Sequence, residues 1–189
     1  MYKITSARFI KGVVGPENVL QDGTPQIAVI GRSNVGKSST INTLAQNNSI
    51  ARTSSTSGRT QEINVFMLNE AFYLVDLPGY GYAKLSLEKR EWLKQLIYWY
   101  FFNSSYPIKK VVLIIDAEIG PTKDDIEMLD ALVEDGKDVV IVANKIDKIN
   151  NSKQLSEINK IKKQLGNHTV IPYSAKKKIG LEALLNEIM

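Results

Sequence analysis

The octapeptide Gly31-Arg32-Ser33-Asn34-Val35-Gly36-Lys37-Ser38 constrains this chain more than any other segment. Its spacing is G-x-x-x-x-G-K-[ST], and its flanks are those such a spacing needs. Residues 27–30, Ile-Ala-Val-Ile, are a short apolar run that reads as a strand buried on both faces. Residues 39–45 follow, with Ile41 and Leu44 at helical spacing. A strand that passes through such a loop into a helix turns successive backbone N–H groups inward. The result is an anion nest at a helix N-terminus, suited to phosphate. Within it Lys37 reaches β- and γ-phosphates and the Ser38 hydroxyl is placed to ligate Mg²⁺. The backbone from Gly31 through Ser39 is the expected phosphate cradle.

The rest of the pattern builds a sheet around that unit. Residues 3–14 alternate and predict an edge strand, and residues 16–25 are a turn-rich connection. Residues 63–68 and 71–75 read as two strands around an Asn69-Glu70 turn, close enough in sequence to pair antiparallel. Residues 111–115 and 139–142 are β-branched apolar runs, and residues 169–172 form a last strand. Helices are predicted over 87–102, 123–134, 152–165 and 181–188, the third with a stripe of Leu155, Ile158, Ile161 and Leu165. Strands alternating with helices give a three-layer α/β fold: a mostly parallel central sheet with one antiparallel strand and helices on both faces. A chain of 189 residues without repeats or a linker reads as a single domain over 1–189, with an N-terminal extension at about 1–24.

Composition narrows the setting. The absence of cysteine rules out a disulfide framework and thiolate metal sites. No apolar run reaches membrane-spanning length, and the first ten residues lack a secretory apolar core, so the expectation is a cytoplasmic protein with no membrane partner. The net charge of +4 is uneven. Residues 136–189 carry ten lysines against five acidic residues, whereas residues 1–135 are nearly balanced. A basic C-terminal third suits either a solvated lysine-rich face or a polyanion such as RNA.

Three further motifs follow in order. Asp76-Leu77-Pro78-Gly79 ends an apolar strand thirty-eight residues after Ser38. A carboxylate there suits Mg²⁺, held through water, and Gly79 can bring a backbone N–H close to the γ-phosphate. Asn144-Lys145-Ile146-Asp147 follows the strand at 139–142 and reads as a guanine selector. The Asp147 carboxylate can accept from N1–H and the 2-amino group together, donors that adenine lacks. Asn144 can bond the base edge, and the Lys145 stem can lie across the base plane. Ser174-Ala175-Lys176 follows the last strand, where its backbone can meet the guanine O6. Residues 47–61 form a long Ser/Thr/Asn-rich loop in which Thr53, Thr56 or Thr60 could complete the Mg²⁺ shell.

This ordered set resembles the translation-factor-related P-loop GTPases, and within them the EngB (YihA/YsxC) family of bacterial ribosome-assembly GTPases. The resemblance covers nearly the whole chain. It rests on the phosphate loop with Ser39, on Thr56-Ser57-Gly58-Arg59-Thr60-Gln61, and on Asp76-Leu77-Pro78-Gly79-Tyr80-Gly81-Tyr82-Ala83. The likeness implies the P-loop GTPase fold, GTP and GDP as ligands, and a Mg²⁺ shell of Ser38, Thr60 and, through water, Asp76. It implies that Gly58, Arg59 and Thr60 reach the nucleotide, and that Lys37, Thr60 and Gly79 serve hydrolysis. It also implies a monomer that binds the large ribosomal subunit during assembly and is needed for normal cell division and septation. Related potassium-activated GTPases hold a monovalent cation at an Asn equivalent to Asn34, which makes K⁺ a candidate cofactor.

Two other classes fit less well. A P-loop kinase of small molecules has no use for N-K-x-D, and a degenerate RNA-binding module would not keep Lys37, Ser38, Asp76 and Asp147 together. Many GTPases place Gln directly after D-x-x-G to orient water. Tyr80 stands there, and a phenol turned away from the phosphates implies slow hydrolysis by the free protein. Gln61 reads as a loop-structure residue. The aromatic cluster of Trp92 and residues 98–102 is expected mainly in the core, and Tyr80 and Tyr82 are better contact candidates.

Overall fold

The computed structural model describes residues 3–47, 49–51, 62–81 and 85–189. The strands are β1 (Ala7–Val13), β2 (Gln26–Gly31), β3 (Ile63–Leu68), β4 (Phe72–Asp76), β5 (Ile108–Asp116), β6 (Val139–Asn144) and β7 (Val170–Pro172). The helices are α1 (Lys37–Leu44), α2 (Leu87–Tyr98), α3 (Lys123–Glu134), α4 (Asn151–Leu165) and α5 (Leu181–Ile188). The seven strands form one sheet in the order β1-β3-β4-β2-β5-β6-β7. Only β3 is reversed: it pairs antiparallel with both β1 and β4, and all other pairings are parallel.

Period-two alternation splits the core into two layers. Ala28 and Ile30 of β2 and Val111, Leu113 and Ile115 of β5 face one side, where Leu96, Leu129, Leu132, Ile158 and Ile161 from α2, α3 and α4 cover them. Ile27, Val29, Val112 and Ile114 face the other side, under Ile41 and Leu44 of α1 and Leu184, Leu185 and Ile188 of α5. Strands buried on both faces read as continuous apolar runs, which is how β5 and β6 appear in the sequence. Each of these large side chains contributes about 1.5–3 kcal/mol on full burial. β2 therefore sits at the centre of both layers, and its C-terminal end carries the phosphate loop.

Two expectations are corrected. Leu155 is 74% exposed, although Ile158, Ile161 and Leu165 are buried. At 100° per residue Leu155 points about 90° from the mean direction of those three, off the buried stripe. The aromatic segment is also divided. Tyr100 and Phe101 are fully buried, but Trp92 and Tyr98 are exposed. α2 ends in a π turn over Trp99–Asn103, and the extra residue per turn shifts which aromatics face the sheet. Tyr98 lines a cavity of about 960 Å³ with Leu93, Ile97, Phe102, Met128 and the Gly79-Tyr80-Gly81 backbone. No helix among the described residues is long and apolar enough to cross a membrane.

Candidate functional site

The parallel strands deliver four loops to one end of the sheet. After β2, the chain must pass close to β5, and a Cβ at Gly31 would run into the Ile114 carbonyl. Gly36 caps α1 with φ +100°, and a Cβ there would meet the Asn144 amide nitrogen. Between them Asn34 takes φ +67°. Thr40 N–H donates to the Gly36 carbonyl at 2.9 Å and closes the first turn of α1. The N–H groups at the start of this helix are thereby left for an anion.

Four ties hold the loop. Ser33 donates to the Tyr80 carbonyl through its N–H at 2.9 Å and its hydroxyl at 3.1 Å. Val35, itself buried, accepts from the Asn144 Nδ2 at 2.8 Å, and the Asn34 carbonyl accepts from the Lys145 Nζ at 2.7 Å. Lys37 Nζ donates to the Gly31 carbonyl at 3.2 Å. Burial pushes the Lys37 ammonium below its usual pKa range, with Asp76 opposing that shift.

Asp76 ends β4, beside β2, and is 3% exposed. Its Oδ1 has no hydrogen-bond partner among the described residues, nor does the buried Thr40 hydroxyl. Burial raises the Asp76 carboxyl to about 6, with the Lys37 charge pulling it back. Leu77 and Pro78 are buried behind it, and Leu77 N–H donates to the Val29 carbonyl at 3.0 Å. A Cβ on Gly79 would stand 2.8 Å from Lys37 Nζ and 3.1 Å from Ser33 N. Only glycine brings the Asp76-Leu77-Pro78-Gly79 backbone this close to the phosphate loop.

At the other flank, Asn144 joins two loops. Its Nδ2 is given to Val35 and its Oδ1 accepts from Ala175 N–H at 3.2 Å, so both ends of the amide are committed to loops. Asn144 is a strut between the phosphate loop and the loop after β7. Lys145 has φ +67°, and its Nζ also meets Asp116 Oδ2 at 2.6 Å. Ser174, fully buried, donates its hydroxyl to Asp147 Oδ1 at 2.5 Å and accepts from Lys177 N–H at 3.0 Å. Thr43 of α1 donates to the Ala175 carbonyl at 3.3 Å, while Lys176 is exposed. Ser38 is partly buried and Ser39 exposed at the start of α1.

Thus the structure brings residues 31–39, 76–79, 144–147 and 174–176 together. Gly58, Arg59, Thr60, Gln61 and Tyr82 lie outside the described residues. Sequence reasoning missed two residues. Asn42 exchanges hydrogen bonds with Ala51, donating to its carbonyl at 2.9 Å and accepting from its N–H at 2.7 Å. This ties Ala51 to α1, and nothing in the spacing signals it. Asp116 had a signal, a carboxylate at the end of an apolar strand like Asp76.

Tyr80 faces α3. Its hydroxyl donates to Asp125 Oδ1 at 2.6 Å, and Asp125 Oδ2 accepts from the Thr122 N–H and hydroxyl in a capping box. Burial first, then Asp125, raises the phenol pKa far above its usual range. The phenol is therefore a neutral donor tied to α3. Tyr80→Phe is expected to leave single-turnover GTP cleavage within about twofold of the parent while lowering stability by about 1 kcal/mol, one neutral-to-charged hydrogen bond in a partly buried setting. Quench-flow and thermal melting check the two halves separately.

Comparison with known proteins agrees with this geometry. Residues 26–145 match the family described as "50S ribosome-binding GTPase", and residues 103–189 match "Elongation factor Tu GTP binding domain". A "Probable GTP-binding protein EngB" of Clostridium perfringens is 43% identical over 97% of this chain and 94% of its own. A crystal structure of a probable GTP-binding protein engB superposes with a TM-score of 0.70 at 26% identity, covering 86% of this chain and 96% of that one. Era, solved with MgGDPNP and nucleotides 1506–1542 of 16S ribosomal RNA, gives 0.66 at 26% identity over 87% of this chain and 56% of its own. With its phosphate loop, D-x-P-G and N-K-x-D segments gathered at one sheet end, the chain belongs to the EngB family of GTP-binding proteins, as a P-loop GTPase.

Proposed function

We propose that this GTPase is a single-domain, monomeric switch in the cytoplasm. It would bind the large ribosomal subunit or its precursor during assembly and so be needed for normal cell division and septation. The observation that carries the nucleotide half is Asn144, whose one amide ties the phosphate loop to the base loop. Phosphate grip and base grip are thereby built as one unit. Lys37, the N–H groups of residues 31–39 and Gly79 hold the phosphates; Asp147, Ser174, Ala175 and Lys176 surround the base, and Lys145 braces it. Bonds broken at the γ-phosphate develop charge on its oxygens, and Lys37 and the loop dipoles stand where that charge grows.

The residues fit Mg²⁺. A buried carboxylate oxygen with no hydrogen-bond partner among the described residues, at Asp76, is an acceptor that a hard cation suits. Ser38 and Asp76, with Thr60 from the loop outside the described residues, would hold it. No group of three or more acidic, His or Cys residues among those described could hold a metal alone. When bound the ion would supply charge neutralisation at the nucleotide phosphates. Ser38→Ala is expected to weaken GDP binding about tenfold in Mg²⁺ and to leave binding in EDTA unchanged, which stopped-flow fluorescence with a labelled GDP reads directly. K⁺ at Asn34, an exposed side chain, is a subordinate reading. It predicts faster hydrolysis in K⁺ than in Na⁺ at equal ionic strength, the difference vanishing in Asn34→Ala.

The ribosomal half is supported by the family description of residues 26–145 and by charge. Lys153, Lys162, Lys163 and residues 176–178 make no ion pair with any described residue. Free lysines on one third of the chain suit RNA phosphates and would give salt-dependent binding. Cosedimentation of GTP- and GDP-loaded protein with isolated large subunits, across a salt series, tests this. Binding only in the GTP state, weakening with salt, is expected. Equal sedimentation in both states, or none, removes the assignment.

A further inference from the structure

We infer that Asp116 is a positioning residue for guanine-nucleotide binding, acting through Lys145. The inference rests on the guanine-site reading above. Two ion pairs clamp the loop after β6 to the loop after β5, and they differ in kind. Lys145–Asp116 is a short contact of 2.6 Å, with side chains 25% and 5% exposed. Lys148–Glu118 is 3.3 Å, with both side chains half exposed. The first is shielded from water and the second is not, so the first carries the larger interaction.

The geometry gives Asp116 two tasks. Its Oδ1 accepts from Glu118 N–H at 3.0 Å, which fixes the carboxylate on its own loop. Its Oδ2 takes one donor of the Lys145 ammonium, and a second goes to the Asn34 carbonyl at 2.7 Å. Lys145 leaves the backbone in the left-handed region, so its stem is aimed by these two end contacts. Asp116 also lies opposite Asn144 in the β5–β6 register, and Ala117 N–H donates to the Asn144 carbonyl at 2.7 Å. One carboxylate thereby fixes the lysine that lies between the base loop and the phosphate loop. Without it the ammonium keeps only a neutral carbonyl, and the stem that should cover the base samples other rotamers.

The test is the dissociation rate and affinity of fluorescent GDP for the full chain, with GDP and ADP as competitors. Asp116→Asn keeps the acceptor for Glu118 N–H and removes the charge. It is expected to raise the GDP dissociation rate about tenfold and the KM for GTP similarly. The expected kcat stays within twofold of the parent, and although losing the shielded pair lowers the melting temperature, the rates are read at a temperature where each variant remains folded. Glu118→Gln, at the exposed pair, is expected to stay within twofold throughout. Lys145→Met, which keeps the stem and removes the charge, should match Asp116→Asn, and the double variant should be no worse than either. Asp116→Asn or Lys145→Met with parental dissociation rates would overturn the inference. So would losses that multiply in the double variant, or a kcat that falls as far as the affinity does. A parent protein that binds ADP as well as GDP would instead overturn the guanine reading, and the inference with it.

Discussion

Asp147→Asn is expected to weaken GDP binding by about 3 kcal/mol, roughly a hundredfold, and to transfer preference to xanthosine diphosphate. The reason is geometric and electronic. Asp147 Oδ1 is held by the Ser174 hydroxyl, whose own oxygen is held by Lys177 N–H, so the carboxylate has a fixed orientation at the mouth of the site. A carboxylate can accept from the guanine N1–H and 2-amino groups at once. An amide can accept from only one and presents a donor to the other, which the xanthine 2-oxo group accepts. Sites built around a hydrogen-bond pair reject the analogue that leaves one partner unpaired. Competition titration of fluorescent GDP with GDP and xanthosine diphosphate measures both affinities. An Asp147→Asn protein that still prefers GDP would dismiss the guanine assignment of residues 144–147.

Much of this site was legible because its function needs particular residues at particular spacings. Gly31, Gly36 and Lys37 can be read without coordinates, since the phosphate nest demands them in that order. Helices α3 and α5 keep their expected bounds because apolar period and end signals agree; Thr122 and Asp125 make the capping box that starts α3. What the sequence concealed lies in contacts between segments far apart. Asn144 reads as a base contact by motif, and the motif does not signal that its amide also bonds the Val35 carbonyl and the Ala175 N–H, 109 and 31 residues away. Asp116 sits 29 residues from Lys145, and its role depends on β5 and β6 lying side by side. The aromatic segment misleads for a local reason. A π turn after Tyr98 breaks the 3.6-residue period on which the core reading depended.

Gly36→Ala should lower both stability and nucleotide affinity strongly. Two costs arise together. The residue has φ +100°, where an L side chain is strained by about 1–3 kcal/mol. Its Cβ would also occupy the space of the Asn144 amide nitrogen. Asn144 is 2% exposed and cannot swing aside into solvent. Displacing it strands the Val35 carbonyl and the Ala175 N–H, two groups that lose buried partners at about 1–3 kcal/mol each. The sum is about 3–9 kcal/mol, a large share of the ~5–15 kcal/mol that holds a domain folded. Thermal melting should therefore fall well below the parent. GDP binding should fall at least a hundredfold even where the fold survives, because the phosphate loop and the base loop lose their common strut. The control is Gly136→Ala. Gly136 also has a positive φ, at +73°, but nothing stands within 4 Å of a Cβ there. That substitution carries the backbone strain alone and should lower stability while leaving nucleotide affinity untouched. If Gly36→Ala and Gly136→Ala lowered the melting temperature equally and neither altered GDP affinity, Asn144 would not couple the two halves of the site.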